Sequence, residues 1–256
     1  MNYLSYYRQD TDQDSGFITL DIKSSDVNGD GVIDEVYLIG DKPGGPDTIV
    51  ISNISIVIKD GKTKQRKQID LSVNKGYSPK IFLGSFSNKK ADDILVSISS
   101  GNTGREGYFY IYSFLNNKVE KLFDFEEFND HFKYDVIYKD NYIVNIISKY
   151  SDKQFTIDLS NKNHSYLTQL YNKDGKLKEP LRGIVSPINE LHPVVSESNN
   201  AYDLYATQRV VGYYNADTLG MMVTPLRWNG KEFAVIDNNP YLTLFGSDIS
   251  LRNKDY

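Results

Sequence analysis

Asp26-Val27-Asn28-Gly29-Asp30-Gly31-Val32-Ile33-Asp34-Glu35 places side-chain oxygens at positions 26, 28 and 30, and again at position 34. Calcium takes about six to eight oxygen ligands, and a loop with a sharp glycine turn can wrap alternate side chains around one ion. Without a cation, carboxylates this close along the chain repel one another. The stretch therefore predicts a calcium-binding loop.

The spacing also assigns the ligands of this one Ca²⁺ site. They are the side chains of Asp26, Asn28 and Asp30, the backbone carbonyl of Val32, and Asp34 directly or through water. An EF-hand would place a bidentate Glu at the twelfth position, which here is Tyr37, and residues 36–39 are strand-like. We therefore expect an EF-like loop between strands. The alternative is an acidic surface turn that binds no metal.

Composition narrows the class of protein. The chain has 256 residues, a net charge of −5 and no cysteine, which excludes disulfides and Cys-ligated zinc. Its one basic run, residues 62–67, lies in a hairpin-like stretch and is expected to face solvent, so we predict no nucleic-acid partner. No window is long and apolar enough to predict a membrane span.

The compartment is inferred from the predicted calcium loop. The first ten residues lack the basic and apolar regions of a secretory leader, so either the protein is cytosolic or a leader has been removed. A calcium loop of modest charge is most useful where calcium is plentiful. We therefore expect a secreted or cell-surface protein.

Alternating apolar segments separated by turn residues predict an all-β protein with hardly any helix. Four strand groups are expected: residues 17–22, 36–39, 51–59 and 65–71; residues 94–98, 108–114 and 119–123; residues 142–148 and 154–159; and residues 203–211, 219–228 and 232–236. Asp60-Gly61, Asn116-Asn117 and Asn229-Gly230 supply turn signals. This spacing favours repeated antiparallel sheets.

The loop has a second copy later in the chain. Residues 26–34 align without a gap with residues 85–93, an offset of 85 − 26 = 59, and both segments lead into an apolar run. In the second copy Lys89 occupies the fifth position, where its ammonium would replace a cation. We expect one copy with metal and one without.

Together, residues 26–35 and 84–96 resemble the FG-GAP/VCBS repeat of integrin-α-like β-propellers, whose repeats carry a D-x-[DN]-x-D-G-x-x-D calcium loop. The resemblance implies the same five ligands and a small or partial propeller of about four to five blades. It implies one domain over residues 1–256, with repeats at 15–78 and 79–125 and weaker repeats at 126–180 and 185–246. In a closed ring, strand 17–22 would lie beside strand 232–236.

Catalysis has one candidate cluster. None of the three histidines has metal-site spacing, and no nucleophile elbow or P-loop occurs. Glu126, Glu127 and Asp130 could serve a glycoside hydrolase, which needs paired carboxylates. Their alternation with phenylalanines is more typical of a short amphipathic segment. We predict no catalytic residues, and keep a carbohydrate-active enzyme as the alternative.

Tyrosines favour a binding role, because their flat amphipathic rings suit sugars and protein partners. The tyrosines concerned are Tyr37, Tyr108, Tyr110, Tyr112, Tyr202, Tyr205, Tyr213 and Tyr214. Packing within the sheets is the alternative explanation for each of them. The sequence thus predicts a non-enzymatic, calcium-stabilised surface module for a protein or glycan ligand, or a structural role.

Overall fold

The computed structural model describes residues 17–87, 90–196, 201–246 and 248–251. These residues form an all-β fold of antiparallel strands in three sheets, with two short helices, so the predicted fold class is confirmed at that level. No helix in the described ranges is long and apolar enough to cross a membrane.

Sheet 1 is a four-stranded meander in which consecutive strands are neighbours. Its strands are β1 (Ile18–Ser25), β2 (Asp34–Asp41), β3 (Ser52–Lys59) and β4 (Arg66–Asp70). In β2 the side chains are alternately buried and half-buried, as the two-residue period of a strand requires. Asp60 and Gly61 begin the connection between β3 and β4 at residues 60–65, which is longer than a two-residue Asp-Gly turn and has its positive φ, 63°, at Lys64.

Sheet 2 is a second four-stranded meander of the same strand order. Its strands are β5 (Tyr77–Gly84), β6 (Asp93–Ser99), β7 (Gly107–Ser113) and β8 (Glu120–Asp124). Asn116 and Asn117 both have positive φ angles, 55° and 62°, in the turn between β7 and β8. Asparagine tolerates this conformation better than most residues, which is why the pair signals a turn.

The first two strands and the loop of each of these sheets repeat one unit. β1 begins at residue 18 and β5 at residue 77, and β2 and β6 begin at residues 34 and 93, so both offsets are 59. The register is also the same, because Ser25 pairs with Asp34 as Gly84 pairs with Asp93. The register shifts within residues 19–21 of β1 and within residues 77–80 of β5. The 59-residue offset read from sequence is therefore present in the backbone.

Sheet 3 contains the remaining nine strands as one hydrogen-bonded sheet. They are β9 (Tyr134–Lys139), β10 (Ile143–Ser148), β11 (Gln154–Asp158), β12 (Arg182–Val195), β13 (Tyr202–Val211), β14 (Thr218–Trp228), β15 (Phe233–Val235), β16 (Tyr241–Leu244) and β17 (Ser250–Leu251). The third and fourth predicted groups merge here, since Arg182 and Gly183 of β12 pair with β9. Strand β12 shifts register around Pro187, which lacks the N–H that a regular ladder needs.

Both helices are short and capped. Helix α1 (Phe125–His131) begins where the Asp124 carboxylate accepts the Glu126 N–H at 2.8 Å. Phe125 and Phe128 are buried under it, as the amphipathic pattern predicted. Helix α2 (His164–Leu170) begins where Asn163 accepts the Tyr166 N–H at 2.8 Å. Helix α1 contacts strands β7, β8 and β12.

The predicted closure of a ring by the N-terminal strand is wrong. Strand β1 pairs with β2 inside sheet 1, and β15 pairs with β14 inside sheet 3. The neighbour of β1 outside its own sheet is β5, where the Asp21 carboxylate accepts the Ile81 N–H at 2.9 Å. The apolar pattern of residues 17–22 predicted a strand correctly but held no information about its partner.

Candidate calcium-binding loop

Loop 1 (residues 26–33) connects β1 to β2 and is closed at its base by the Ser25–Asp34 pair. The Asp26 carboxylate accepts two backbone N–H groups, from Gly29 at 2.7 Å and from Gly31 at 2.8 Å. Both glycines have positive φ angles, +80° and +85°, which L side chains rarely adopt. The glycines therefore let the chain fold back over the carboxylate.

The next two polar side chains continue the same pattern. Asn28 Oδ1 accepts the Asp30 N–H at 3.0 Å, and Asp30 Oδ1 accepts the Val32 N–H at 2.9 Å. Each is an Asx-type turn, in which the side chain bonds to the backbone two residues on. Each oxygen retains acceptor capacity after one such bond. That Asp26, Asn28 and Asp30 bind a cation together with the Val32 carbonyl stays a prediction.

Asp34 is fully buried and acts on the backbone. Its Oδ2 accepts the Val27 N–H at 3.1 Å and its Oδ1 accepts the Gly61 N–H at 2.8 Å. Within the described residues, no group of three or more His, Asp or Glu side chains is arranged to hold a metal ion. Asp34, the predicted ninth-position ligand, therefore anchors the backbone at Val27 in loop 1 and at Gly61 after β3.

Loop 2 (residues 85–92) has the same anchor. The Asp93 carboxylate accepts the Phe86 N–H at 3.0 Å and the Ser87 N–H at 2.8 Å, and Phe86 lies 59 residues after Val27. Burial raises the pKa of Asp93 against the opposing effect of these hydrogen bonds. Because loop 2 lacks the other acidic ligands, this shared carboxylate reflects loop closure in both copies. Lys89, predicted to replace the ion, lies outside the described residues.

Loop 1 joins sheet 1 to sheet 2. The Asp26 carbonyl accepts the Asp92 N–H and the Asn28 carbonyl accepts the Asn116 N–H, both at 2.9 Å. Asn28 also donates from Nδ2 to Asp60 at 3.0 Å. The geometry of loop 1 therefore sets how the two sheets meet.

A lysine already lies near the candidate ligands. Lys62 Nζ is 3.8 Å from Asp30 Oδ2, and its side chain is 64% exposed. An exposed pair of this length contributes little, because solvent screens it and the side chain remains mobile. Lys62 can therefore move away if a divalent cation binds.

The candidate catalytic carboxylates do not form a focused pair. Lys121 Nζ lies 3.4 Å from Glu127, and Lys133 Nζ lies 2.8 Å from Asp130, so two of the carboxylates are paired with different lysines. Glu127 and Glu232 both line a groove of about 420 Å³ between α1 and the β14–β15 hairpin. Sequence reasoning missed Glu232, since it lies about a hundred residues from α1 in the chain.

The tyrosines separate into packed and exposed members. Tyr110 and Tyr112 are buried in sheet 2, whereas Tyr213 and Tyr214 are 45% and 53% exposed at the β13–β14 turn. The Tyr213 and Tyr214 ring centroids lie 6.0 Å apart. Sheet packing explains the first pair, and a surface role is open to the second.

Comparison with known proteins gives a family. The YybI C-terminal domain family matches residues 132–241, from the end of α1 to the start of β16. The uncharacterized protein YybI of Bacillus subtilis (strain 168) is 41% identical over 226 residues, which are 88% of this chain and 84% of that protein. The chain belongs to the YybI family. No solved structure matches it.

Membership of the YybI family corrects the predicted resemblance to FG-GAP/VCBS repeats, which was wrong. The nine-residue pattern misled because hydrogen bonding alone accounts for much of it. Asp34 and Asp93 hold backbone N–H groups, and Asp26 shapes a turn. Such a pattern can arise wherever a tight loop joins two antiparallel strands. The family model matches the C-terminal half of the chain, where the resemblance rested only on the spacing of the strands.

Proposed function

We propose that this YybI-family protein is a non-enzymatic surface module that Ca²⁺ stabilises and that binds a protein or glycan. The observation that carries the proposal is the position of loop 1, which offers three side-chain oxygens while its backbone bonds to sheet 2. An ion bound by Asp26, Asn28, Asp30 and the Val32 carbonyl would fix this junction. Water would complete the shell, because calcium takes about six to eight oxygens.

Calcium is expected to raise the melting temperature of the protein. Binding to the folded state alone stabilises by about 2.7 kcal/mol when the ion is at a hundred times its dissociation constant. Differential scanning fluorimetry after EDTA treatment, with Ca²⁺ and then Mg²⁺ added back, measures the effect. Mg²⁺ should be weaker, since it demands a smaller octahedral shell. Equal melting curves in EDTA and Ca²⁺ would remove the ion from the proposal.

Asp30→Ala tests the location of the ion. It should abolish the calcium-dependent shift and change the melting temperature in EDTA only slightly, since Asp30 is exposed. Asp47→Ala is the matched control, because it removes an exposed carboxylate elsewhere in sheet 1's connections. A calcium shift that survives Asp30→Ala would place the ion elsewhere.

Binding is assigned to the exposed pair Tyr213 and Tyr214. Their turn is joined to the β6–β7 loop, where Asn215 donates to Thr103 Oγ1 at 3.3 Å. Exposed aromatic rings beside polar loops are typical of sugar and protein contacts. Replacing both tyrosines with Ser should abolish binding on a glycan array or to a captured protein, with an unchanged melting temperature. Retained binding would overturn this assignment.

The proposal also includes a propeller-like arrangement of the sheets and a location outside the cell. A small propeller-like arrangement is supported by the two meander sheets and by the contact of their first strands, β1 and β5. The continuous pairing of β9 with β12 limits how far separate blades can extend. Location outside the cell is supported by the calcium proposal, since a weak calcium loop needs the ion concentrations found there.

A further inference from the structure

A groove of about 460 Å³ lies in sheet 3, between α2 and the turn at residues 171–178. Its lining includes Tyr142, His164, Leu167, Tyr171, Lys173 and Lys178. The turn is held by backbone hydrogen bonds, from Asn172 N–H to the Lys176 carbonyl and from Lys178 N–H to the Leu170 carbonyl. The walls are therefore fixed by main-chain structure, whereas the rim carries mobile cationic side chains.

Tyr171 lines the groove and carries a buried donor without an acceptor. Tyr171 is 3% exposed, and its hydroxyl is buried without a hydrogen-bond partner. Burial raises the pKa of Tyr171, and so do the nearby Asp140 and Tyr142, so the hydroxyl keeps its proton. A buried hydroxyl without an acceptor costs about 1–3 kcal/mol. Phenylalanine would avoid this cost at the same position.

The wall of the groove contains a second costly feature. Tyr142 has φ = +62°, a left-handed conformation that favours glycine, and Asn141 before it has φ = +61°. A bulky residue in that region costs on the order of 1 kcal/mol. Its ring packs edge-on against Tyr171, with centroids 4.9 Å apart. The groove thus combines a buried hydroxyl without a partner, on Tyr171, with an unfavourable backbone conformation, at Tyr142.

The rim is positively charged. Lys173 forms no ion pair with any described residue, Lys176 lies 3.9 Å from Asp174 in the same turn, and Lys178 donates to the Thr168 carbonyl. The opposing carboxylate is Asp140, which accepts the Leu177 N–H at 2.9 Å. The lining thus includes two lysines and no carboxylate, which suits an anionic ligand.

We propose that this groove binds a small organic oxyanion, a carboxylate or phosphate group carried on a planar apolar body. The oxyanion accepts a hydrogen bond from the Tyr171 hydroxyl, which keeps its proton, and pairs with Lys173 and Lys178. The Tyr142 side chain turns aside to open the buried Tyr171 hydroxyl to the groove, and the apolar body takes its place and lies against Leu167. The site goes beyond the surface module proposed above and does not depend on calcium or on Tyr213 and Tyr214.

Benzoate and phenyl phosphate are the probes, and benzamide and benzylamine are their neutral and cationic counterparts. Titration followed by ¹H–¹⁵N NMR should show both anions shifting the amide signals of residues 142 and 164–173, and neither counterpart doing so. Tighter binding of phenyl phosphate would identify phosphate as the preferred oxyanion, and tighter binding of benzoate would identify carboxylate. Absence of shifts with both anions, or equal binding of benzylamine, overturns the proposal.

Tyr171→Phe separates binding from stability. It should weaken anion binding at least about tenfold, because a hydrogen bond to a charged group is lost, while the melting temperature stays the same or rises. Tyr166→Phe is the control, since its hydroxyl has partners, and it should lower the melting temperature without changing the anion affinity. Unchanged anion affinity in Tyr171→Phe, or a lowered melting temperature, overturns the assigned role of the hydroxyl.

Discussion

Asp34→Ala should lower the free energy of unfolding by about 3 kcal/mol or more, because it leaves the N–H groups of Val27 and Gly61 without acceptors. Each buried donor left unpaired costs about 1–3 kcal/mol. Val27 is fully buried, so water cannot replace the carboxylate there without disturbing the core. Gly61 cannot easily adjust, since a Cβ on it would lie 1.9 Å from the Ile33 carbonyl oxygen. Urea denaturation in EDTA measures the change without any contribution from calcium.

Asp93→Ala offers the equivalent change in loop 2 and should have an effect of similar size, because its carboxylate accepts the Phe86 and Ser87 N–H groups. Asp30→Ala is the control within loop 1 and should stay within about 1 kcal/mol, since its one backbone bond is exposed. An Asp34→Ala variant as stable as Asp30→Ala would show that Asp34 does not anchor the loop. If Asp34→Ala fails to fold, Asp34→Asn retains one acceptor oxygen and should show a smaller loss.

The sequence predicted the turns, strands and loops whose conformation depends on residues close together in the chain. Asp60-Gly61 and Asn116-Asn117 correctly marked the connections between strands, and the two asparagines adopt the positive φ angles that such residues tolerate. The apolar run at residues 36–39 predicted β2, and a gapless alignment predicted the repeat of loop 1 and β2, whereas β5, the copy of β1, was not predicted. For the candidate site, the pattern located Asp26, Asn28 and Asp30 in one tight loop.

The sequence pattern did not predict which residues far apart in the chain would contact each other. Strand β12 was missed because Pro187 and Pro193 interrupt its apolar pattern, and the merger of β9 with β12 depends on that strand. The sequence did not show that Asp34 accepts the Val27 and Gly61 N–H groups, because spacing places a carboxylate in the chain but not the distant backbone groups that it contacts. The groove at Tyr171 was not predicted, because the spacing of residues in a sequence cannot show that a buried hydroxyl lacks a hydrogen-bond partner.

The hydroxyl of Tyr166 shows the opposite case from Tyr171, since it belongs to a satisfied buried network. It donates to Asp217 Oδ2 at 2.7 Å and lies 3.0 Å from the Tyr138 hydroxyl. Asp217 also accepts the Tyr213 N–H at 2.8 Å, which fixes the β13–β14 turn. Burial raises the pKa of both tyrosines, so both stay protonated, and Asp217 accepts the hydrogen bond from Tyr166. The network joins α2, β9 and the turn.

Asp217→Ala should therefore lower the free energy of unfolding by about 3 kcal/mol, since it strands the Tyr166 hydroxyl and the Tyr213 N–H together. Tyr166→Phe alone should cost about 1–2 kcal/mol, because it leaves a buried carboxylate with one fewer donor. The two losses should not add in the double variant, since each change removes the same hydrogen bond, and the coupling should be on the order of 1 kcal/mol. Urea denaturation of the four proteins in this cycle measures it. Strictly additive losses would mean that the Tyr166–Asp217 bond contributes nothing to stability, and that α2 is held against the turn by packing alone.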